Sequence, residues 1–162
     1  MTLFAGRRTL TILRVLEAPD CVFCRIIAGE LEASVVHEDE RTLAFLDIQP
    51  LTSGHLLVVP RQHATSLAEL DPRDGAELFR VAQRAAAALR QSVLRCEGVN
   101  FFLADGAAAG QDVFHVHLHV FARFPGDGFG LQLPPDYAIR PREELDAAAL
   151  ALRQAWALKG HS

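Results

Sequence analysis

An α+β fold, with helices packed on an antiparallel sheet, is what this sequence predicts. Three observations carry that expectation. Three strand-like runs follow one another closely between residues 35 and 60, a long segment after them keeps a helical apolar period, and two further strand-like runs precede a last helix.

Each element has its own signal. Cys21 to Ala28 is a short apolar run closed by Gly29, the pattern of two helical turns with a glycine after the cap. Val35-Val36 and Thr42 to Ile48 read as strands joined by the charged turn Glu38-Asp39-Glu40-Arg41. His55 to Pro60 is a third, rich in Leu and Val and stopped by proline. Asp71-Pro72 then opens a segment, 74–94, whose apolar residues recur at Leu78, Val81, Ala82, Ala85, Ala86 and Leu89, a helix of about five turns. Val99 to Leu103 and Val113 to Phe121 are the remaining strands, separated by the small-residue loop Asp105 to Gly110. Glu143 to Leu158 is a helix behind Pro141. The Pro/Gly-rich stretch from Pro125 to Pro135 reads as a loop and not a linker, because too little chain follows it to form another core. Residues 131–162 are therefore expected to belong to the same domain.

The chain has 162 residues, half of them hydrophobic, and a net charge of -4, which fits one globular domain. That balance offers no general attraction for nucleic acid or for an anionic membrane, and points to a small partner. No segment is long and apolar enough to span a bilayer. In residues 1–20 the charged Arg14 and Glu17 interrupt what would have to be a signal sequence, so a short N-terminal extension on a cytoplasmic protein is expected.

Chemistry concentrates in Phe114-His115-Val116-His117-Leu118-His119-Val120. Side chains alternate along a strand, so this spacing puts three imidazoles on one face and Phe114, Val116, Leu118 and Val120 on the other. A plain solvated strand would carry Thr, Lys or Glu there instead. Imidazoles so arrayed suit proton transfer, nucleophilic attack or metal ligation near neutrality. Convergence on one catalytic metal is awkward, since His115 and His119 would lie about 13 Å apart at Cα in extended chain.

Three cysteines argue against a disulfide framework. Cys96 stands alone and reads as a half-buried thiol. Cys21-x-x-Cys24 is a zinc half-site in search of two more ligands, a redox pair, or two buried thiols. His37 and His161 read as surface residues.

The histidine run, preceded by Gly110-Gln111, resembles the histidine-triad (HIT) family of nucleotide-binding hydrolases and transferases. The resemblance extends to Cys21 through Glu30, Leu43 through Ile48, Gly54 through Arg61, and the tail motif Gly126-Asp127-Gly128-Phe129-Gly130, so it covers residues 21–130 in order. It implies a HIT-like homodimer, each subunit a five-stranded antiparallel sheet with packed helices, binding a purine nucleotide or nucleotide conjugate. By position it makes His117 the nucleophile. His119 and His55 line the phosphate site, Asp47 holds the ribose, and Phe23, Ile26, Phe45 and Ile48 form the apolar base pocket. His63 and His115 match the positions that complete a structural zinc site with Cys21 and Cys24 in bacterial members.

The residues leave other roles open. Asp47 can equally cap the turn into Gln49-Pro50, and Phe23, Ile26 and Phe45 are equally good core residues. Gln111, the backbone N–H groups of the 106–111 loop and His119 are candidate donors to charge on the phosphate oxygens, with Gly110 and Asp112 beside them. The implied chemistry is cleavage at the α-phosphate of nucleoside phosphoramidates, adenylates or dinucleoside polyphosphates through a nucleotidyl-His117 intermediate. Two departures from eukaryotic relatives, Ala104 for asparagine and Asp112 for serine, favour an alternative in which the chain binds or senses a purine nucleotide with little turnover. An ionised Asp112 would repel a phosphate.

Overall fold

The computed structural model describes residue 18 and residues 20–159. Most of the expected N-terminal extension, and His161, lie outside the described residues. The elements in chain order are α1 (Val22–Ile27), β1 (Val35–Glu38), β2 (Thr42–Leu46), β3 (Leu56–Pro60), α2 (Pro72–Gln91), β4 (Gly98–Phe102), a short 3-10 turn (Ala107–Ala109), β5 (Leu118–Arg123) and α3 (Arg142–Lys159). The five strands form one sheet in the order β1-β2-β3-β5-β4, every neighbouring pair antiparallel. This is the expected α+β architecture.

The two faces of the sheet carry different cores. Ala44, Leu56, Val58, Val116, Leu118 and Val120 meet Leu78, Val81, Ala82, Ala85 and Leu89 of α2. Each such Val or Leu taken out of water stabilises the fold by about 1.5–3 kcal/mol. Leu43, Phe45, Leu57 and Val59 point the other way and pack with Phe23 of α1. The helix α2 begins where the sequence signals it, with Pro72 in its first turn and the Asp71 side chain accepting the Arg73 N–H at 2.8 Å. Gly54, just before β3, has φ +82°, and a Cβ there would meet Leu94 Cδ1 at 2.6 Å. Only glycine fits this turn, and the turn delivers His55 to the sheet.

One strand differs from expectation. The fifth begins at Leu118 and not at Val113, so of the three histidines only His119 lies in a strand. The backbone groups just before it are committed elsewhere: the His115 N–H to Val113 O at 2.8 Å and the Val116 N–H to Ala64 O at 2.8 Å. On the neighbouring strand Pro60 has no N–H to extend the ladder, and its carbonyl accepts from the His115 ring. Alternation nevertheless persists into this irregular stretch. Val116 and Leu118 stay on the α2 side, but Phe114 is half exposed and leaves the apolar set. Cys96 is fully buried, deeper than expected.

The chain divides into two compact units, one ending at Phe129 and one starting at Gly130. Taken by itself, the second unit holds α3, which leaves Leu145, Leu150, Leu152 and Trp156 exposed. No helix among the described residues is long and apolar enough to cross a membrane.

Candidate active site and metal centre

His117 is buried, and its Nδ1 lies 2.7 Å from the backbone carbonyl of His115. A carbonyl only accepts, so Nδ1 carries the hydrogen and Nε2 is left with its lone pair. The ring of Phe23 abuts His117 edge-on with centroids 5.2 Å apart, holding it from the α1 side.

His119 comes within 4.8 Å of His117, centroid to centroid. Its tautomer follows from a chain of two contacts. The Leu51 N–H can only donate, so His55 Nδ1 accepts from it at 3.3 Å and the His55 hydrogen sits on Nε2. That hydrogen points at His119 Nδ1, 2.9 Å away, leaving the His119 hydrogen on Nε2. One histidine thus presents a lone pair and its neighbour an N–H. Burial, with the imidazoles of His117 and His55 so close that a further positive charge is disfavoured, pushes the His119 imidazole down to about 4, so it is neutral at pH 7. His55 is also pushed below its ordinary value. Burial dominates there, although the Asp47 carboxylate 3.5 Å from Nδ1 pulls the other way.

The other site residues expected from the sequence fall into three groups. Phe23 and Phe45 are buried core residues in edge contact with each other, Phe23 also walls His115 and His117, and half-buried Ile26 packs beside them. Ile26 also lines a cavity of about 320 Å³ bounded by Ile27, Leu31, Val35 and Leu43, with Arg61 and Glu38 on its wall. Asp47 plays the turn role, its Oδ1 accepting the Gln49 N–H at 2.8 Å, while its Oδ2 faces His55. Ile48 is fully exposed, away from the apolar wall.

Gln111 differs from expectation. Its Oε1 accepts the Gly106 N–H at 2.7 Å, and its Nε2 donates to Thr65 O and Val113 O at 2.9 and 3.1 Å. Both amide hydrogens are spent holding the loop, so the side chain is a brace and not a donor to substrate. The loop backbone is similarly occupied, since the N–H groups of Ala109, Gly110 and Gln111 bond within it. Gly110, at φ +85°, makes the left-handed turn that closes it. Asp112 is exposed beside this loop. Sequence reasoning missed Phe121, whose buried ring lies 4.4 Å from His55 and stacks on His119 at 5.5 Å and 10°. The signal was available, since Phe121 is two residues beyond His119 and so on the same face.

On the far side of Phe23, Cys21, Cys24, His63 and His115 come together with one ligand atom each, all within 4.8 Å of one another. His115 Nε2 donates to Pro60 O at 2.8 Å, which leaves the Nδ1 lone pair facing the group. His63 Nδ1 stands 3.3 Å from His115 Nδ1, and the sulfur–nitrogen separations are 3.3, 3.4 and 3.6 Å. A tetrahedral Zn²⁺ with ordinary bond lengths requires edges of about 3.3 Å between nitrogens and about 3.6 Å between sulfur and nitrogen. The donor set therefore fits zinc in both chemistry and size. Without a cation the same crowding is unfavourable: burial and the neighbouring Cys21 push the Cys24 thiol up to about 12. The second such group among the described residues is Asp47, His55 and His119, of which His55 and His119 share the hydrogen bond just described.

Comparison with known proteins agrees with this geometry. A family model for the HIT domain matches residues 28–126. An uncharacterised HIT-like protein of Borreliella burgdorferi is 46% identical over 114 residues, 70% of this chain and 82% of the relative. The Schizosaccharomyces pombe adenosine 5'-monophosphoramidase hnt1 is 34% identical over 124 residues, 76% of this chain and 89% of that protein. Among solved structures, a zinc-bound histidine triad family protein from Mycobacterium smegmatis is similar with a TM-score of 0.67 and 43% identity, covering 84% of this chain and 97% of that one.

Proposed function

Because this chain belongs to the HIT family, we propose that it is a nucleotidyl hydrolase or transferase acting at the α-phosphate of a nucleoside phosphoramidate, adenylate or dinucleoside polyphosphate. The observation that carries this reading is the opposed pair of tautomers: a lone pair on His117 Nε2 beside an N–H on His119 Nε2.

In the first step His117 Nε2 attacks the α-phosphorus, the N–P bond forms, and the bond to the leaving amine or phosphate breaks. The anionic phosphoryl group beside His119 raises the proton affinity of that ring, which takes up a second proton from solvent as the substrate binds. His119 then gives its Nε2 proton to the leaving atom and is left neutral. In the second step water attacks the nucleotidyl phosphorus, His119 takes the water's proton, and the N–P bond to His117 breaks to release the mononucleotide. Phe23, Phe45 and Ile26 supply an apolar wall for a purine, and the Asp47 oxygen not used by Gln49 is available to a ribose hydroxyl. Exposed Ile48 and the braced Gln111 have no direct part in this reading.

Cys21, Cys24, His63 and His115 would hold a structural zinc, which tethers α1 to the segment bearing His117 and supplies no chemistry to the phosphate. Association as a homodimer is part of the same proposal. The edge strand β4 carries half-exposed Phe101 and Phe102, and an unpaired apolar edge is best covered by another copy.

The test is AMP release from an adenosine 5'-phosphoramidate by the native protein and by His117→Ala, with a search for an acid-labile adenylylated protein. Release and an adduct in the native protein, both lost in the variant, support the proposal. Nucleotide binding without release would favour the sensor alternative.

A further inference from the structure

The tail motif Gly126-Asp127-Gly128-Phe129 has no part in the chemistry above, yet four hydrogen bonds converge on its Asp127 carboxylate. Arg123 of β5 grips Asp127 with two parallel bonds, Nε to Oδ2 and Nη2 to Oδ1, each 2.7 Å. The same two oxygens accept the backbone N–H groups of Phe124 at 3.0 Å and Phe129 at 3.1 Å. Arg123 Nη2 also donates to the Phe129 carbonyl, Nη1 to Asn100 Oδ1 on β4, and the guanidinium lies 4.8 Å above the Phe129 ring. Gly126 and Gly128 hold φ +73° and +72° with open space around a Cβ, so the backbone conformation and not crowding calls for glycine.

All of these bonds serve one placement. The Phe129 ring rests on Phe121 at 5.3 Å, and Phe121 in turn stacks on His119 and lies against His55. The hydrogen bond from His55 fixes a single point of the His119 ring, its Nδ1, and leaves the ring free to rock about that bond. A flat contact against Phe121 fixes the ring plane. The other rings near His119, those of His55, His117 and Phe102, meet it tilted or edge-on and not flat. The direction of the His119 Nε2–H is therefore set by a ring that is itself backed by Phe129.

We propose that the Arg123–Asp127 clamp and Phe129 form a positioning device for His119, acting through Phe121 to aim the proton given to the leaving group. Phe129 and Asp127 touch neither substrate nor reacting atoms. The inference rests on the reading of His119 as proton donor, and its signature is selective. Loss of aim slows departure of a group that must be protonated, and leaves untouched a group that departs as a stable anion.

The experiment compares the native protein with Phe129→Ala and Phe129→Tyr on two adenosine 5'-phosphate derivatives, an alkylamine phosphoramidate and a p-nitrophenyl ester. Phe129→Ala is expected to lower kcat on the phosphoramidate about 10-fold or more at unchanged KM, since small misplacements of a catalytic group are costly. The ester should change by less than about twofold, and Phe129→Tyr should restore the phosphoramidate rate. Nitrogen NMR of labelled histidine in the uncomplexed protein gives a second readout. The His119 ring should be rigid in the native chain and gain motion in Phe129→Ala, its tautomer still held by His55, with the melting temperature reported alongside. Equal losses on both substrates, or a His119 ring as rigid in a folded Phe129→Ala protein as in the native one, overturn the proposal. If the native protein cleaves neither substrate, the functional reading fails, and the NMR comparison still decides whether Phe129 positions His119.

Discussion

His117 is oriented by the backbone of His115 and not by its ring: His117 Nδ1 meets the His115 carbonyl at 2.7 Å, while the His115 imidazole turns away toward Cys21 and Cys24. Two adjacent members of one motif thus belong to two different centres, joined by a single peptide unit.

That division predicts separable losses. His115→Ala keeps the carbonyl but removes a zinc ligand, so it should lower the zinc content measured by metal analysis. It should also lower the melting temperature by roughly 10 °C, the consequence of losing about 3 kcal/mol in a chain of this size. His117→Ala should keep its zinc and its melting temperature within a few degrees and still lose AMP release by about 10³-fold or more.

Removal of zinc by a chelator should act in the same way. The Cys21 side chain caps α1 by accepting the Cys24 N–H at 3.5 Å, and a helix of six residues has little stability of its own. Activity should decay together with hydrogen-exchange protection of residues 22–27. Immediate loss of activity with α1 still protected would argue for a catalytic metal instead.

Acid should weaken the fold through His119. Its folded value is depressed to about 4 from an ordinary 6.5, so the unfolded chain takes up its proton first. The stability contribution is complete above pH 6.5 and is lost as pH falls from 6.5 through 4, up to about 3 kcal/mol for this one group. Denaturant titrations at pH 7.5 and 4.5 should show the difference, and His119→Gln should reduce it. A pH dependence unaltered by that substitution would assign it to other groups.

Gln111→Ala should destabilise by about 2 kcal/mol, because it leaves the Gly106 N–H and the carbonyls of Thr65 and Val113 without their partner. Chemical denaturation measures this directly. The companion expectation is that KM rises more than kcat falls, as the loop beside the phosphate loosens.

Asp112→Ser should raise phosphoramidase turnover by removing a negative charge near an anionic substrate. Asp112 is exposed, so solvent screening limits the gain to about fivefold or less, and the gain should shrink as salt is added. A rate unchanged at low ionic strength would show that Asp112 is not inhibitory.

The fold was largely legible because each strand had its own apolar run and turn. The limits of β5 were not. Hydrophobic alternation marks which way side chains face, and it continued through Val116 even where the ladder had stopped. What ended the strand was a competition for backbone groups among Pro60, Ala64 and the His115 ring, partners distant in sequence. The cluster of Cys21, Cys24, His63 and His115 was legible from cysteine spacing together with the family pattern. The true work of Gln111 was not, since a buried amide and a substrate-facing amide look identical in a sequence. Asp47 resolved toward the local alternative for the opposite reason, because its partner Gln49 is only two residues away.

The cluster that ties Cys21 to His115 spans 94 residues, and Leu56 of β3 pairs with Val120 of β5, 64 residues further on. Closing loops of that size is slow relative to forming α2, whose contacts are local. During synthesis Phe23, Phe45 and Asp47 leave the ribosome long before His117 and His119, which come near the end of their unit. The wall of the site is made first and waits, unpaired, for the segment that bears the nucleophile. A chain interrupted anywhere between Asp47 and that segment holds most of the residues proposed to bind nucleotide, yet has no means of cutting it.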